Sequence, residues 1–181
     1  MEKNQLNDSS AFKELFDTYN NMVFNVCLRI LGSREEAEDA AQEIFFTIYK
    51  SLKQFREESK LSTWIYRISV NFCLNLERKK KQAQWLSLDF LLDNKQEDII
   101  KRSNKNPHTI LDKSETEQIV QNAVNSLPDN QRIAVILSRY EMLPYQEIAG
   151  IMNCSVSSVE SYLFRAKQNL YKKLIHIIKE L

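Results

Sequence analysis

The sequence predicts an all-α protein made of two small helical domains that are joined by a flexible linker. Apolar residues recur at three- and four-residue steps along most of the chain, which is typical of amphipathic helices. Only 2 glycines and 3 prolines occur among 181 residues, so few tight turns are available. A polar stretch interrupts the helical pattern in the middle of the chain. We therefore place the domains at residues 8–83 and 114–181, with the linker at 84–113.

Three helices are predicted in the first domain. The first covers residues 10–31 and ends at Gly32, because glycine suits the left-handed conformation that terminates helices. Residues 33–36 read Ser-Arg-Glu-Glu, a capping box that opens the second helix. A polar segment, residues 56–61, separates the second helix from a third, which we expect to end near Gln82. The apolar segment after this point should dock on the domains as part of the linker.

The second domain should contain four helices, which start near residues 114, 128, 144 and 155. Pro128 and Pro144 stand where helices begin, a position at which the missing N–H costs nothing. Between the last two helices, Asn153 tolerates the left-handed conformation and Ser155 can cap the next helix. A short helix, a three-residue turn and a longer basic helix form the layout of a helix-turn-helix DNA reader.

The last helix has an apolar face and a polar face that is free to enter a DNA groove. Residues 156–179 contain five basic residues against one acidic residue, a net charge of +4. The candidate contacts to duplex DNA are Ser155, Ser157, Ser158, Glu160, Ser161, Arg165 and Lys167. The alternative is a helical hairpin whose charged side is merely solvated.

The second helix is acidic, since residues 35–43 carry five carboxylates and no basic residue. Asp39 and Glu43 are four residues apart and share a face, which Gln42 flanks. This face is either solvated or a docking surface for a basic partner. A magnesium-dependent enzyme using Glu38, Asp39 and Glu43 is a third hypothesis, but no nucleophile is spaced to complete such a site.

The third helix has the opposite charge, with five basic residues against one acidic residue in 61–81, a net charge of +4. Aromatic, cationic and amide side chains recur along it: Trp64, Tyr66, Arg67, Asn71, Asn75 and Arg78. Such a combination suits the binding of single-stranded nucleic acid, whose unstacked bases offer ring faces and hydrogen-bonding edges. The alternative is that Trp64 and Tyr66 belong partly to the core, and that Lys79–Lys81 form a solvated helix end.

Other function classes find no support in the sequence. No phosphate-cradling GxxxxGK[ST] or GxGxxG motif occurs. The three cysteines are scattered and no CxxC or HxxxH spacing exists, which fits reduced thiols rather than disulfides or zinc. The N-terminus lacks a hydrophobic signal core and no apolar run reaches membrane-spanning length. We expect a cytoplasmic protein without catalytic residues, metal, cofactor or small-molecule substrate.

Three motifs in order carry a resemblance to a known family: DAAQEIF at 39–45, STWIYRISVN at 62–71, and a helix-turn-helix opened by LPDNQR at 127–132. The chain resembles bacterial sigma-70-family transcription initiation factors of the compact extracytoplasmic-function (ECF) type. The resemblance covers nearly the whole chain, with sigma region two at about 8–83 and region four at about 114–178. It implies a protein that binds core RNA polymerase, directs it to promoters and opens the duplex.

The resemblance also implies roles for the candidate residues. Asp39, Gln42 and Glu43 match the polymerase-docking motif. The residues that would read and melt the minus-ten element are Arg56, Lys60, Trp64, Tyr66, Arg67, Asn71, Asn75, Arg78 and Lys79. The helix with Ser155 to Lys167 matches the reader of the minus-thirty-five element, although many relatives carry a basic residue in place of Glu160. The expected partners are core RNA polymerase, promoter DNA and an anti-sigma factor. The promoter DNA would be bound both as a duplex and as a melted single strand.

A conventional two-domain helix-turn-helix regulator is the alternative function. Such a regulator binds duplex DNA tightly and specifically by itself, whereas an initiation factor binds weakly until polymerase joins.

Overall fold

The computed structural model describes residues 9–52, 55, 59–93 and 115–178, and every regular element in these ranges is helical. This confirms the predicted all-α class. No helix in these ranges is both long and apolar enough to span a membrane. The helices are α1 (Ser9–Leu31), α2 (Arg34–Ser51), α3 (Leu61–Asp93), α4 (Glu115–Asn125), α5 (Asp129–Val135, continued by a π-helical turn at Ile136–Tyr140), α6 (Tyr145–Met152) and α7 (Val156–Ile178).

The boundary between α1 and α2 forms as its local sequence predicts. Gly32 has a φ of +74° and its N–H donates to the Leu28 carbonyl at 2.9 Å, which closes the end of α1. The Ser33 hydroxyl accepts the N–H of Glu36 at 3.4 Å and caps α2. The second half of the capping box is absent, because the Glu36 carboxylate lies 2.5 Å from Lys80 Nζ on α3. Glu36 therefore ties two helices together.

Helix α3 is longer than predicted, since it runs to Asp93 rather than ending near Gln82. No glycine or proline occurs in this stretch, and good helix formers continue the helix without a stop signal. Trp85 is 69% exposed, so the start of the apolar segment does not dock as expected. The rest of the predicted linker, residues 94–113, lies outside the described residues.

The main core lies inside the bundle of α1, α2 and α3. Each helix contributes fully or almost fully buried aliphatic side chains, including Val23, Ile30, Ile44, Ile48 and Ile65. Burying one such side chain contributes about 1.5–3 kcal/mol to folding. A smaller cluster holds α4, α5 and α7 together through Val124, Leu127, Val135 and Ala166.

The two helical units share one continuous core, an arrangement that the sequence did not predict. Ile133, Ile136, Leu137, Ile148 and Val159 of the second unit are buried in the same cluster as the first bundle. Helix α3 packs against α6, and α1 packs against the π-helical turn. We call this packing of the two units the closed arrangement.

Candidate nucleic-acid interface and docking face

The acidic face of α2 consists of Asp39, Gln42 and Glu43, whose side chains are all exposed as predicted. The opposite side of α2 is held in the core by alanine and isoleucine side chains, which fixes the direction of the acidic face. Within the described part of the chain, neither Asp39 nor Glu43 forms an ion pair, whereas Glu38 binds Arg34 at 2.8 Å. The acidic face is therefore free to meet a partner.

Phe46 extends this face and was missed by the sequence analysis. It lies seven residues after Asp39, on the same side of α2, and is 54% exposed. Lys50 Nζ lies 3.9 Å from its ring centroid, and Tyr49 beside it is also exposed. Aromatic side chains are enriched at the centres of protein interfaces, so an exposed ring beside free carboxylates supports a docking role. The helical spacing of position 46 was the signal that could have found it.

The basic stripe comprises the predicted minus-ten residues, which lie on α3 and directly before it, and its C-terminal half is open. Asn71, Asn75, Arg78 and Lys79 are exposed and lie at three- and four-residue steps. None of their side chains has a hydrogen bond or ion pair within the described residues. These amides and cations can therefore receive an external ligand without losing an internal one.

The N-terminal half of the stripe is in contact with α6 through Lys60 and Arg67. Lys60 Nζ lies 2.6 Å from the Glu147 carboxylate. The guanidinium of Arg67 donates to the Gly150 carbonyl from two nitrogens, at 2.6 and 3.2 Å. Trp64 is partly buried and its ring lies 5.2 Å from Phe55. Arg56, the first residue of the predicted set, lies outside the described residues.

Tyr66 is the most enclosed member of the stripe, at 6% exposure. Its hydroxyl donates to Glu141 at 2.9 Å, and Arg29 lies 3.8 Å from the other oxygen of that carboxylate. Burial, the hydrogen bond to Glu141 and the negative charges of Glu141 and Glu147 raise the pKa of Tyr66 far above its ordinary value. In the closed arrangement Tyr66 belongs partly to the core, which was the alternative reading of this side chain.

The helix-turn-helix is formed by α6, a three-residue turn and α7, as predicted. Asn153 is left-handed, with φ 51° and ψ 50°, and the Cys154 N–H donates to the Ala149 carbonyl at 3.0 Å. The Ser155 hydroxyl accepts the N–H of Ser158 at 3.1 Å and caps α7. Ala149 and Val159 are buried where the two helices approach. The turn chemistry therefore sets the angle at which α7 leaves α6.

The outer side of α7 presents most of the predicted duplex contacts. Most of these side chains are exposed: Ser155, Ser157, Glu160, Ser161, Arg165 and Lys167. Ser158 is partly buried, and its hydroxyl lies 2.9 Å from the Ser155 hydroxyl. The sequence analysis missed two exposed aromatic side chains on this helix, Phe164 and Tyr171. Phe164 is four residues after Glu160, so it lies among the polar contacts. The outer side of α7 is thus mixed polar and aromatic.

An open cleft of about 310 Å³ lies where the basic stripe meets the outer side of α7. Arg78 of α3 and Arg165 of α7 both line it, together with Tyr162 and the start of α5. Neither arginine has a charged partner among the described residues. In the closed arrangement, the two candidate DNA surfaces therefore converge at one end.

The carboxylates of α2 do not form a metal site. Across the described ranges, no three His, Cys, Asp or Glu side chains are grouped so that they could hold a metal ion. Glu38, Asp39 and Glu43 are part of this search, and Glu38 is already paired with Arg34. The hypothesis of a magnesium-dependent enzyme has no structural support from these residues.

Comparison with known proteins matches both helical units to family models. The model described as Sigma-70 region 2 matches residues 15–83, and the model described as Sigma-70, region 4 matches residues 117–170. The first match contains the acidic face and the basic stripe, and the second contains the helix-turn-helix.

Full-length relatives are also found. The chain is 31% identical to the RNA polymerase sigma-H factor of Pseudomonas aeruginosa, over 99% of this chain and 94% of that protein. It is 34% identical to the ECF RNA polymerase sigma-E factor of Haemophilus influenzae, over 96% and 93%. Among solved structures, the sigma factor RpoE in complex with the anti-sigma factor NepR from Bartonella quintana has a similar fold. That match has a TM-score of 0.68 and 22% identity, and it covers 90% of this chain and 96% of the other.

Proposed function

The chain belongs to the sigma-70 family of RNA polymerase sigma factors, in its ECF group, and we propose that it binds core RNA polymerase and starts transcription at specific promoters. One observation carries this proposal: the two family models coincide with the two helical units that bear the exposed acidic face, the basic stripe and the outer side of α7. Sigma factors act on transcription without being enzymes themselves. The three surfaces supply the three contacts that initiation requires.

The acidic face is the proposed docking surface for polymerase. Asp39 and Glu43 are exposed and unpaired, so a basic partner surface would not have to displace an internal cation. Complementary charge steers the encounter and fixes its register. The exposed Phe46 adds apolar area beside the carboxylates, and apolar contact gives such an interface its affinity.

The basic stripe is the proposed binding site for the unwound minus-ten strand. Asn71 and Asn75 offer amide groups for base edges, while Arg78 and Lys79 offer cations for phosphates. Extruding a base costs a few kcal/mol, and stacking on an aromatic side chain returns about 1–3 kcal/mol per base. Trp64 is the partly exposed ring on this stripe and is assigned the stacking role.

The outer side of α7 is the proposed reader of duplex DNA at the minus-thirty-five element. A helix of this kind lays its exposed side chains in the major groove. Arg165 can bind guanine through two hydrogen bonds, and Glu160 can accept from the cytosine amino group. Glu160 also repels phosphate, which weakens binding to every sequence alike, so any selectivity from Glu160 comes from its contact with cytosine.

Run-off transcription with purified core polymerase on genomic fragments tests this function. We expect new start sites that core polymerase alone does not use. Duplex binding by the isolated chain should be weak and should tighten when core polymerase is added. Tight, specific duplex binding without polymerase, together with no initiation, would instead establish the conventional regulator.

A matched pair of double variants tests the docking assignment. Asp39→Ala with Glu43→Ala should weaken binding to core polymerase about 10-fold or more, since charge pairs at interfaces carry about 1.5 kcal/mol or more. The control is Glu14→Ala with Asp17→Ala, which removes the same charge from exposed positions on α1. Both variants should keep the circular dichroism spectrum of the parent. Equal affinities of the two variants for core polymerase would reject the acidic face as the docking surface.

An anti-sigma protein is a further proposed partner. The Bartonella relative of similar fold was solved in complex with such a protein. Exposed aromatic side chains on α2 and α7, Phe46 and Phe164 among them, provide apolar surface for it. A purified candidate should abolish run-off transcription when it is added in stoichiometric amount before core polymerase.

A further inference from the structure

The open cleft between α3 and α7, about 310 Å³ in volume, is formed by side chains from both helical units. Arg78 of α3 and Arg165 of α7 line it. Both side chains are exposed, and neither has a hydrogen bond or an ion pair within the described residues. Two like charges in one cleft repel each other until an anion binds between them, so this pair indicates an anion-binding site.

A carboxylate in the lining does not cancel this positive charge. Asp129 also lines the cleft, but its carboxylate already has two cationic neighbours. It lies 3.5 Å from Arg132 and 3.8 Å from Lys81. The charge that a ligand meets in the cleft is therefore set by the two unpaired arginines.

Neutral side chains of the lining present hydrogen-bond donors to the cleft. The Tyr162 oxygen accepts the Asn130 amide at 3.4 Å, which leaves the phenol O–H to donate. The Gln131 carbonyl oxygen accepts the Asn169 amide at 2.8 Å, which leaves the Gln131 amino group to donate. The guanidinium groups supply donors only. A lining so rich in donors selects a ligand with several acceptor oxygens, and phosphate groups supply them.

The size of the cleft and the apolar part of its lining fit a ligand larger than a phosphate ion. A volume of about 310 Å³ lies at the lower end of the range of about 300–1,000 Å³ that small-molecule sites occupy. Pro128 and the ring of Tyr162 supply apolar surface, and aromatic side chains stack with nucleobases. A nucleotide combines phosphate groups with a ring that suits this surface.

We propose that the cleft binds a free nucleotide, whose phosphates lie between Arg78 and Arg165 and whose base lies against Tyr162. Both units contribute to the site, so it exists only when they are packed together. A nucleotide and promoter DNA exclude each other at the two arginines, since both would use them. A DNA strand offers the same phosphate chemistry, but a strand on the basic stripe would also contact Lys79.

Charge-matched variants of the full chain test this site. The probe is ADP with a fluorescent N-methylanthraniloyl group on its ribose, and the parent should bind it saturably with a Kd below about 1 mM. Arg78→Gln and Arg165→Gln should each weaken binding about 10-fold or more, because each removes a charge-assisted contact to phosphate. The two variants remove exposed, unpaired side chains, so both should keep the circular dichroism spectrum and thermal midpoint of the parent.

The controls are Lys79→Gln and Lys167→Gln, which remove the same charge from exposed positions that do not line the cleft. At about 0.15 M salt they should change the affinity less than about 2-fold, since attraction between exposed charges is screened beyond about 8 Å. Equal losses in all four variants would show general attraction of an anion, or a binding mode like that of a DNA strand, and would overturn the proposal. A loss in only one of the two arginine variants would place the ligand on a single unit and reject the shared site.

Competition by unlabelled ligands tests the two parts of the nucleotide separately. ADP should displace the probe at concentrations about 10-fold lower than pyrophosphate, because stacking of the base adds about 1–3 kcal/mol. Adenosine, which lacks phosphate, should not displace it. Pyrophosphate as effective as ADP would reject the contact with the base, and adenosine as effective as ADP would reject the arginine site. No polymerase takes part in these titrations, so a failure here leaves the proposed role in initiation intact.

Discussion

The ion pair between Arg132 and Glu77 offers the sharpest test of the closed arrangement in solution. Arg132 is only 5% exposed and joins the last turn of α5 to the middle of α3, so the pair exists only when the two units are packed. The perturbation is Glu77→Gln, which keeps the size and shape of the side chain and removes its charge. The Arg132 guanidinium then remains buried without its main counter-charge.

The expected cost follows from the burial of the two partners. Removing one member of a buried ion pair costs about 3–5 kcal/mol. The Glu77 side chain is 17% exposed, and Asp129 remains 3.5 Å from Arg132, so solvent and a second carboxylate offset part of the loss. We therefore expect Glu77→Gln to lower the free energy of unfolding by about 2–3 kcal/mol. For a chain of this size, the midpoint of thermal unfolding should fall by about 5–10 °C.

Urea unfolding followed by circular dichroism measures this change. The control is Glu38→Gln, which breaks the solvent-exposed pair with Arg34 and should cost less than about 0.5 kcal/mol. A second comparison replaces the whole pair by apolar residues, as Glu77→Leu with Arg132→Met. Because no buried charge then lacks a partner, this double variant should be more stable than Glu77→Gln.

A loss of less than about 0.5 kcal/mol in Glu77→Gln, equal to that of the exposed control, would refute the reasoning. It would mean that Arg132 is solvated and that the two units are not packed together through this junction.

Three further predictions concern single side chains. Arg165→Ala should weaken binding of the polymerase complex to its promoter by about 1–3 kcal/mol if Arg165 contacts a base edge, as a footprint titration would show. The thiols should be alkylated in a fixed order. Cys154 should react first and slowly, because burial raises its pKa. Cys27 and Cys73 should react only on unfolding, since both are fully buried and their mutual hydrogen bond raises the pKa of Cys73. Raising the pH should destabilise the chain through Tyr66, because the folded state holds the hydroxyl proton of Tyr66 more tightly than the unfolded state does. The stability gained from this proton is present below the ordinary pKa near 10.0 and is lost as the pH rises above it. Tyr66→Phe should remove that part of the pH dependence in unfolding experiments, and an unchanged profile would contradict the assigned contact.

Features set by neighbouring residues were predictable from the sequence. The break at Gly32 and Ser33 and the left-handed turn at Asn153 depend on backbone conformations that few other residues adopt. The exposure of the acidic face follows from helical spacing, because its opposite side is apolar. The resemblance carried by three short motifs is confirmed by the family models.

Features that depend on contacts between distant parts of the chain were not predictable. Tyr66 reads equally well as a DNA contact or as a core residue, because its aromatic ring suits both. Glu141, which decides between them, lies 75 residues away along the chain. The length of α3 was missed for another reason: the apolar residues after Gln82 lose the regular three- and four-residue spacing, which predicted a linker, although no glycine or proline stops the helix there.

The closed arrangement covers the three candidate surfaces unequally. The acidic face and the outer side of α7 are exposed while Tyr66 and Arg67 are engaged by region four. Salt alone should not open it: screening weakens the exposed contact of Lys60 with Glu147, but it acts little on the buried hydroxyl of Tyr66 and on the shared apolar core.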